Sequence, residues 1–190
     1  MKIAMVGAGY VGLVSGACFS EFGWDVVCVD NNAQKIDMLE AGQMPIYEPG
    51  LVDLVARNVA GGRLQFTTDL ASAVAEADAV FIAVGTPSRR GDGHADLSYV
   101  FQAAEDIARH ADGYTVLVTK STVPVGTGRE VMKRIQAVRP DGDIEIASNP
   151  EFLREGSAIE DFKRPDRVVI GADTERASET VGSLYQPLFL

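Results

Sequence analysis

Three sets of residues in this chain have the types and spacing to do chemistry. The first is Gly7-Ala8-Gly9-Tyr10-Val11-Gly12, a G-x-G-x-x-G turn, with Asp30 eighteen residues beyond its last glycine. In such a turn the first glycine permits a tight bend. The second lacks a Cβ, so a pyrophosphate can approach the backbone, and the third lets the following helix pack close to the strand. The free N–H groups and positive dipole end of that helix then face the phosphates. Asp30 is placed to accept hydrogen bonds from the adenosine ribose hydroxyls. Asn31 and Asn32 follow it, with no arginine to receive a 2′-phosphate, and a carboxylate repels one, so NAD is expected over NADP. A mere packing turn with a strand-end cap would not require the whole register of strand, glycine turn, helix, strand and acid. Lys35 lies just beyond Asp30, and spacing alone leaves it equally a solvated helix charge or a cofactor contact.

The second set lies at later strand ends: Gly85-Thr86-Pro87-Ser88, then Lys120 to Thr127, then Ser148 to Gly156. Each by itself is turn chemistry. Three such loops on one sheet edge suit a site that must order a ligand and move a proton. The third set is Glu151 and Glu155, four apart. If the loop turns helical they share a face, and like charges would raise one pKa toward general-base use. By spacing alone, two solvated loop carboxylates is the better reading. His94 and His110 stand in no triad-like context and are read as surface residues. Cys18 and Cys28 stand in no C-x-x-C or metal-type cluster and are read as apolar core residues of a reduced protein, with no metal site.

Short apolar runs must position these loops: Ile3 to Val6, Val26 to Val29, Ala79 to Val84, Val116 to Val118, Ile144 to Ala147 and Val168 to Ile170. Each is apolar on both faces, as a parallel strand covered by helices is. Amphipathic stretches lie between them. In Asp96 to His110, the residues Leu97, Val100, Phe101, Ala104, Ile107 and Ala108 form one stripe, with Asp96 as N-cap. The alternation predicts an α/β fold, a Rossmann-like doubly wound, mostly parallel sheet with helices on both faces. From Ala41 to Gly62 the rhythm breaks. A Tyr47-Glu48-Pro49-Gly50 turn signal leads into a helical run ending at Gly61-Gly62, an extra helical element.

Composition excludes several partners. A net charge of −10 repels phosphate backbones, so nucleic acid is not expected. A dinucleotide remains compatible, because backbone amides bind phosphate without net positive charge. No apolar run reaches the length of a membrane span, and no signal pattern opens the chain, so a cytoplasmic protein is expected.

These segments together resemble the UDP-glucose/GDP-mannose dehydrogenase family: GAGYVG (Gly7 to Gly12), PIYEPGL (Pro45 to Leu51), GTPS (Gly85 to Ser88), KSTVPVGT (Lys120 to Thr127), SNPEFLREGSAI (Ser148 to Ile159) and PDRVVIG (Pro165 to Gly171). The matches are ordered and cover nearly the whole chain. KSTVPVGT, NPEFLREG and DRVVIG look most like the branch acting on UDP-glucose. Branches acting on GDP-mannose or UDP-N-acetylhexosamines share much of this half. The resemblance implies oxidation of a sugar C6 alcohol to a carboxylate with two NAD in succession, through a cysteine thiohemiacetal and thioester. It implies that Gly7, Gly9, Tyr10, Val11, Gly12, Asp30, Lys35, Val84, Gly85, Thr86, Ser121 and Glu155 face NAD. It implies that Glu151, Phe152, Leu153, Arg154 and Glu155 meet the substrate, with Thr122 holding a catalytic water, Glu151 the general base and Glu155 beside the reacting carbon.

One departure matters. The family's nucleophile lies in a glycine-rich GFGGSCFPKD-type motif, and none occurs here. Cys18 falls in the first helix and Cys28 in the second strand. The family's oxyanion-steadying lysine and asparagine, its central helix and its UDP-gripping domain are absent too. Residues 1–190 are therefore expected to be an N-terminal NAD-binding domain that holds UDP-glucose weakly and does not turn over alone. The full-length parent is expected to be a homodimer or larger. A non-catalytic NAD-binding module would instead bind cofactor with no affinity for a sugar nucleotide.

Overall fold

Neighbouring residues along the central strands send their side chains to opposite faces of one sheet, and both faces are covered. The computed structural model describes residues 1–87 and 95–189. The strands are β1 (Lys2–Val6), β2 (Asp25–Val29), β3 (Leu64–Thr67), β4 (Ala79–Ile82), β5 (Thr115–Thr119), β6 (Ile144–Ser148) and β7 (Gly171–Ala172). Their order across the sheet is β3-β2-β1-β4-β5-β6-β7, parallel except that β7 runs antiparallel to β6. This is the doubly wound fold expected. The order reverses between β1 and β4, and ligands of such sheets bind beyond the carboxyl ends of the strands at that point.

Ile3, Met5, Phe81, Val116 and Val118 join one apolar core with helices α1 (Tyr10–Glu21), α2 (Ala33–Glu40), α3 (Leu51–Ala60), α7 (Ala158–Lys163) and α8 (Glu175–Leu184). Ala4, Val6, Val80, Ile82 and Leu117 join a second core on the other face, with α4 (Leu70–Ala75), α5 (Ser98–His110) and α6 (Thr127–Val138). Helix α1 lies deep: every residue from Gly12 to Ser20 is buried. Gly16 is what lets it approach β2, since a Cβ there would sit 2.6 Å from the Cys28 sulfur. The extra helical element expected before Gly61 is α3, which begins after Gly50 at φ +81°.

The structure departs from expectation in four places. Strand β3 was not anticipated, because its residues alternate between buried Leu64 and Phe66 and exposed Gln65, an edge pattern and not an apolar run. Val168 to Ile170 forms no strand. The pairing falls on Gly171 and Ala172, which bond to Ser148 and Ala147, while Val169 is exposed. Asp96 is not the N-cap of α5; Leu97 is, and the Asp96 carboxylate accepts from the Ser98 N–H at 3.0 Å. The strand expected at Ala79 to Val84 ends at Ile82, which frees Ala83 and Val84 for the site. Ser88 and His94 lie outside the described residues, while His110 is exposed at the end of α5. Among the described residues no helix is long and apolar enough to cross a membrane.

Candidate functional site

The glycine turn joins β1 to α1, and its three glycines stand in three different environments. Gly7 has φ +105°, and a Cβ on it would lie 2.6 Å from the Ala83 carbonyl oxygen. A Cβ on Gly12 would lie 1.8 Å from the Gly7 carbonyl oxygen. Both positions are closed by backbone. A Cβ on Gly9 would meet nothing within 4 Å. Gly9 therefore faces open space where a phosphate can approach the backbone, and the first N–H groups of α1 point that way without intrahelical partners. The residues fit a dinucleotide pyrophosphate.

Asp30 follows β2 beside this turn. Its Oδ2 accepts from the Ala8 N–H at 2.9 Å and from Lys35 Nζ at 2.5 Å, and its Oδ1 accepts from the Asn32 N–H at 3.0 Å. Burial alone would raise its carboxyl pKa. The hydrogen bonds from Lys35, Asn32 and Ala8 outweigh burial and hold the pKa below the usual carboxylate value. Asp30 is thus an anion fixed against the glycine turn. Lys35 is neither simply a solvated charge nor simply free for a ligand; it is the ion-pair partner of Asp30.

The ends of β4 and β5 complete this edge. Ser121 Oγ donates to the Val84 carbonyl at 3.1 Å, and the Lys120 N–H donates to the Ile82 carbonyl at 3.1 Å. Gly85 is exposed, Val84 and Thr86 half-buried, and Thr122 exposed on the same edge. Thr127 Oγ1 donates to the Pro124 carbonyl at 2.7 Å and closes the turn that leads into α6.

Beyond β6, residues 151–154 form an irregular loop, 155–157 a turn, and α7 begins only at Ala158. The helical face that would bring Glu151 and Glu155 together does not form. Glu151 Oε2 instead accepts from the Leu153 N–H at 2.6 Å, so its carboxylate shapes its own loop. Arg154 turns away to Asp161 on α7, bonding through its guanidinium at 2.7 and 3.1 Å. Phe152 is 62% exposed, which suits a backbone-offering position better than a core one. Glu151, Phe152, Leu153 and Arg154 line a cavity of about 560 Å³, with Lys120 and Asn149 on its walls.

Sequence reasoning placed Lys120 and Asn149 in candidate strand-end loops but gave them, Tyr185 and Glu48 no individual role, and all four are buried polar anchors of this edge. Lys120 Nζ donates to Asn149 Oδ1 at 2.9 Å and to the Tyr185 hydroxyl at 3.1 Å, and the Tyr185 hydroxyl donates to the same Asn149 oxygen at 2.5 Å. Phe81, Phe162 and Tyr185 rings surround the ammonium. Burial lowers the Lys120 pKa to about 7, against the opposing pull of Glu151. Asn149 Nδ2 also reaches the Val169 carbonyl at 2.9 Å, so the start of the loop is pinned on three sides.

The two cysteines are the core residues expected. Burial raises the pKa of the Cys18 and Cys28 thiols to about 12, which leaves neither as a thiolate nucleophile. Among the described residues no group of His, Cys, Asp and Glu can hold a metal ion.

Comparison with known proteins agrees with this geometry. The family model described as "UDP-glucose/GDP-mannose dehydrogenase family, NAD binding domain" matches residues 1–189. The chain is 66% identical to a UDP-glucose 6-dehydrogenase of Rhizobium meliloti (strain 1021), over 100% of this chain and 44% of that protein. It is 52% identical to one from Bacillus subtilis (strain 168), over 98% of this chain and 40% of that protein. Among solved structures it matches a UDP-glucose dehydrogenase from Pyrobaculum islandicum with a TM-score of 0.93 and 44% identity, covering 97% of this chain and 44% of that one. It matches a GDP-mannose dehydrogenase from Pseudomonas aeruginosa with the same TM-score and 37% identity, covering 98% of this chain and 44% of that one. The chain thus spans less than half the length of these relatives. A glycine turn open at its middle residue, an acid anchored beside that turn and a match along the whole chain have one conclusion in common: this chain belongs to the UDP-glucose/GDP-mannose dehydrogenase family, as its NAD-binding domain.

Proposed function

We propose that this chain is the cofactor half of a UDP-glucose 6-dehydrogenase, which oxidises UDP-glucose to UDP-glucuronate. The observation that carries the cofactor role is the open space over Gly9, set between Gly7 and Gly12 positions closed by backbone. The choice of UDP-glucose is supported by the 66% identity to the Rhizobium meliloti enzyme. Oxidising the C6 alcohol to a carboxylate removes two hydrides, and NAD supplies the acceptor for each.

In this reading the N–H groups of Gly9 to Gly12 hold the pyrophosphate and Asp30 receives the adenosine ribose. Val84, Gly85, Thr86 and Ser121 border the nicotinamide end. Glu151 acts as general base toward water held by the Thr122 hydroxyl. Glu155 lies beside the cofactor and the reacting carbon, and Phe152, Leu153 and Arg154 meet the sugar nucleotide. A covalent step needs a thiolate, and Cys18 and Cys28 are both buried with raised pKa values. The nucleophile and the UDP-gripping domain then belong to the part of the relatives' length that this chain does not cover, and residues 1–190 are the cofactor domain. Buried, unpaired thiols support a cytoplasmic setting.

The test mixes the purified chain with NAD and UDP-glucose. Nuclear resonance shifts on adding UDP-glucose, centred on residues 151–155, with no steady NADH formation, are the expected outcome. Steady NADH formation would overturn the division of labour, and an absence of any shift would favour a non-catalytic cofactor module.

A further inference from the structure

Glu48 is a buried carboxylate, only 4% exposed, and among the described residues no cation pairs with it. Neutral donors from two distant parts of the chain hold it. The Tyr10 hydroxyl donates to Oε2, as does the Gly156 N–H at 2.8 Å, and the Ala158 N–H donates to Oε1 at 2.8 Å. Burial by itself would raise the Glu48 pKa, but these bonds, with one from the Ile159 N–H, hold it below the usual carboxylate value. Burial and the bond to Glu48 raise the Tyr10 pKa to about 12, so Tyr10 stays a donor and Glu48 an anion at neutral pH.

The placement of the donors is what matters. Tyr10 is the first residue of α1, inside the glycine turn. Gly156 ends the loop that carries Glu151 and Glu155, and Ala158 opens α7. Glu48 comes from the turn before α3, the element that breaks the strand–helix rhythm, and a Cβ on Gly50 would lie 3.9 Å from Ile159 of α7. An inserted turn thus delivers one acid to the seam between two candidate ligand loops.

We propose that Glu48 is a positioning residue that locks the 151–156 loop to the glycine turn through Tyr10, so that binding NAD also orders the loop carrying Glu151 and Glu155. The proposal rests on the reading of Gly7 to Gly12 as the cofactor turn. Ordering passes along this link because a phosphate that settles on the first turn of α1 restrains Tyr10. Tyr10 restrains the carboxylate, and the carboxylate restrains the Gly156 and Ala158 amides.

Amide hydrogen exchange across residues 150–160 tests this, with NAD binding measured separately by calorimetry. The wild-type chain, Tyr10→Phe and Glu48→Gln are compared without NAD and at saturation. Tyr10→Phe removes only a hydroxyl and keeps the proposal testable if Glu48→Gln does not fold. In the wild type, NAD is expected to slow exchange at 153–158 by about fivefold or more, and in Tyr10→Phe saturated with NAD the slowing falls below about twofold. A purely structural role would change exchange equally with and without NAD. Full NAD-dependent slowing in Tyr10→Phe would trace it to direct contact and overturn the proposal, as would a wild type that binds NAD with no slowing. A wild type that binds no NAD at all overturns the cofactor reading as well, and calorimetry tells these cases apart.

Discussion

A Cβ on Gly12 would stand 1.8 Å from the carbonyl oxygen of Gly7, while the same atom on Gly9 would meet nothing within 4 Å. One turn therefore contains a glycine required by the protein and another that the protein itself does not require. Gly12→Ala must push the α1 start away from β1, an overpacking that costs about 1–3 kcal/mol. Gly9→Ala is expected to melt like the wild type yet lose at least about tenfold in NAD affinity, because the methyl group enters the space a phosphate would fill. Thermal melts paired with NAD titrations separate the two variants. A Gly9→Ala chain with wild-type NAD affinity contradicts the assignment.

Asp30 links acid stability to the glycine turn. Its pKa in the folded chain is lowered, so its contribution is fully present above the ordinary carboxylate value and is lost as pH falls through the lower folded value. Asp30→Asn is expected to flatten the loss of stability below about pH 4 relative to wild type. It is also expected to narrow the preference for NAD over NADP, since the repulsion of a 2′-phosphate goes with the charge. Urea melts across the acid range and parallel titrations with both cofactors measure the two effects.

Lys120 makes a prediction of the same sign at alkaline pH. Its folded pKa of about 7 lies below the lysine value in the unfolded chain, so above pH 7 the unfolded state binds more protons. Stability from this group therefore rises with pH from about 7 toward about 10. Between pH 7 and 9, wild type is expected to gain about 1 kcal/mol per pH unit over Lys120→Met. Chemical denaturation at stepped pH tests the slope, and parallel curves for the two proteins would show that the ammonium is not the titrating group.

The thiols are expected to be inert until the chain opens. Cys18 and Cys28 are both buried, so a thiol reagent is expected to label neither in the native state and both after unfolding. A Cys18→Ala/Cys28→Ala chain is expected to bind NAD as the wild type does. Rapid native labelling of either thiol, or loss of NAD binding on labelling, would contradict their place in the core.

The division between what could be read from residues alone and what could not follows range and periodicity. The glycine turn, Asp30 and the parallel strands declare themselves within short windows, because fully buried strands are apolar on both faces. Strand β3 hid because Gln65 faces solvent between Leu64 and Phe66, and the Val168 to Ile170 run misled because apolar character there serves loop packing and not a ladder. Glu48 and Lys120 gave no readable signal. A turn glutamate next to proline and glycine looks solvated, and its partners Tyr10 and Gly156 lie far along the chain on both sides. For Glu151 and Glu155, spacing allowed a shared face only if the loop turned helical and favoured two loop carboxylates, and the loop that holds them is not helical.

The most direct measurement is calorimetric titration of the purified chain with NAD and, separately, with NADP. The account predicts one NAD per chain, with NADP weaker by at least about tenfold because Asp30 faces its 2′-phosphate. No heat of NAD binding, or equal affinity for the two cofactors, would contradict it.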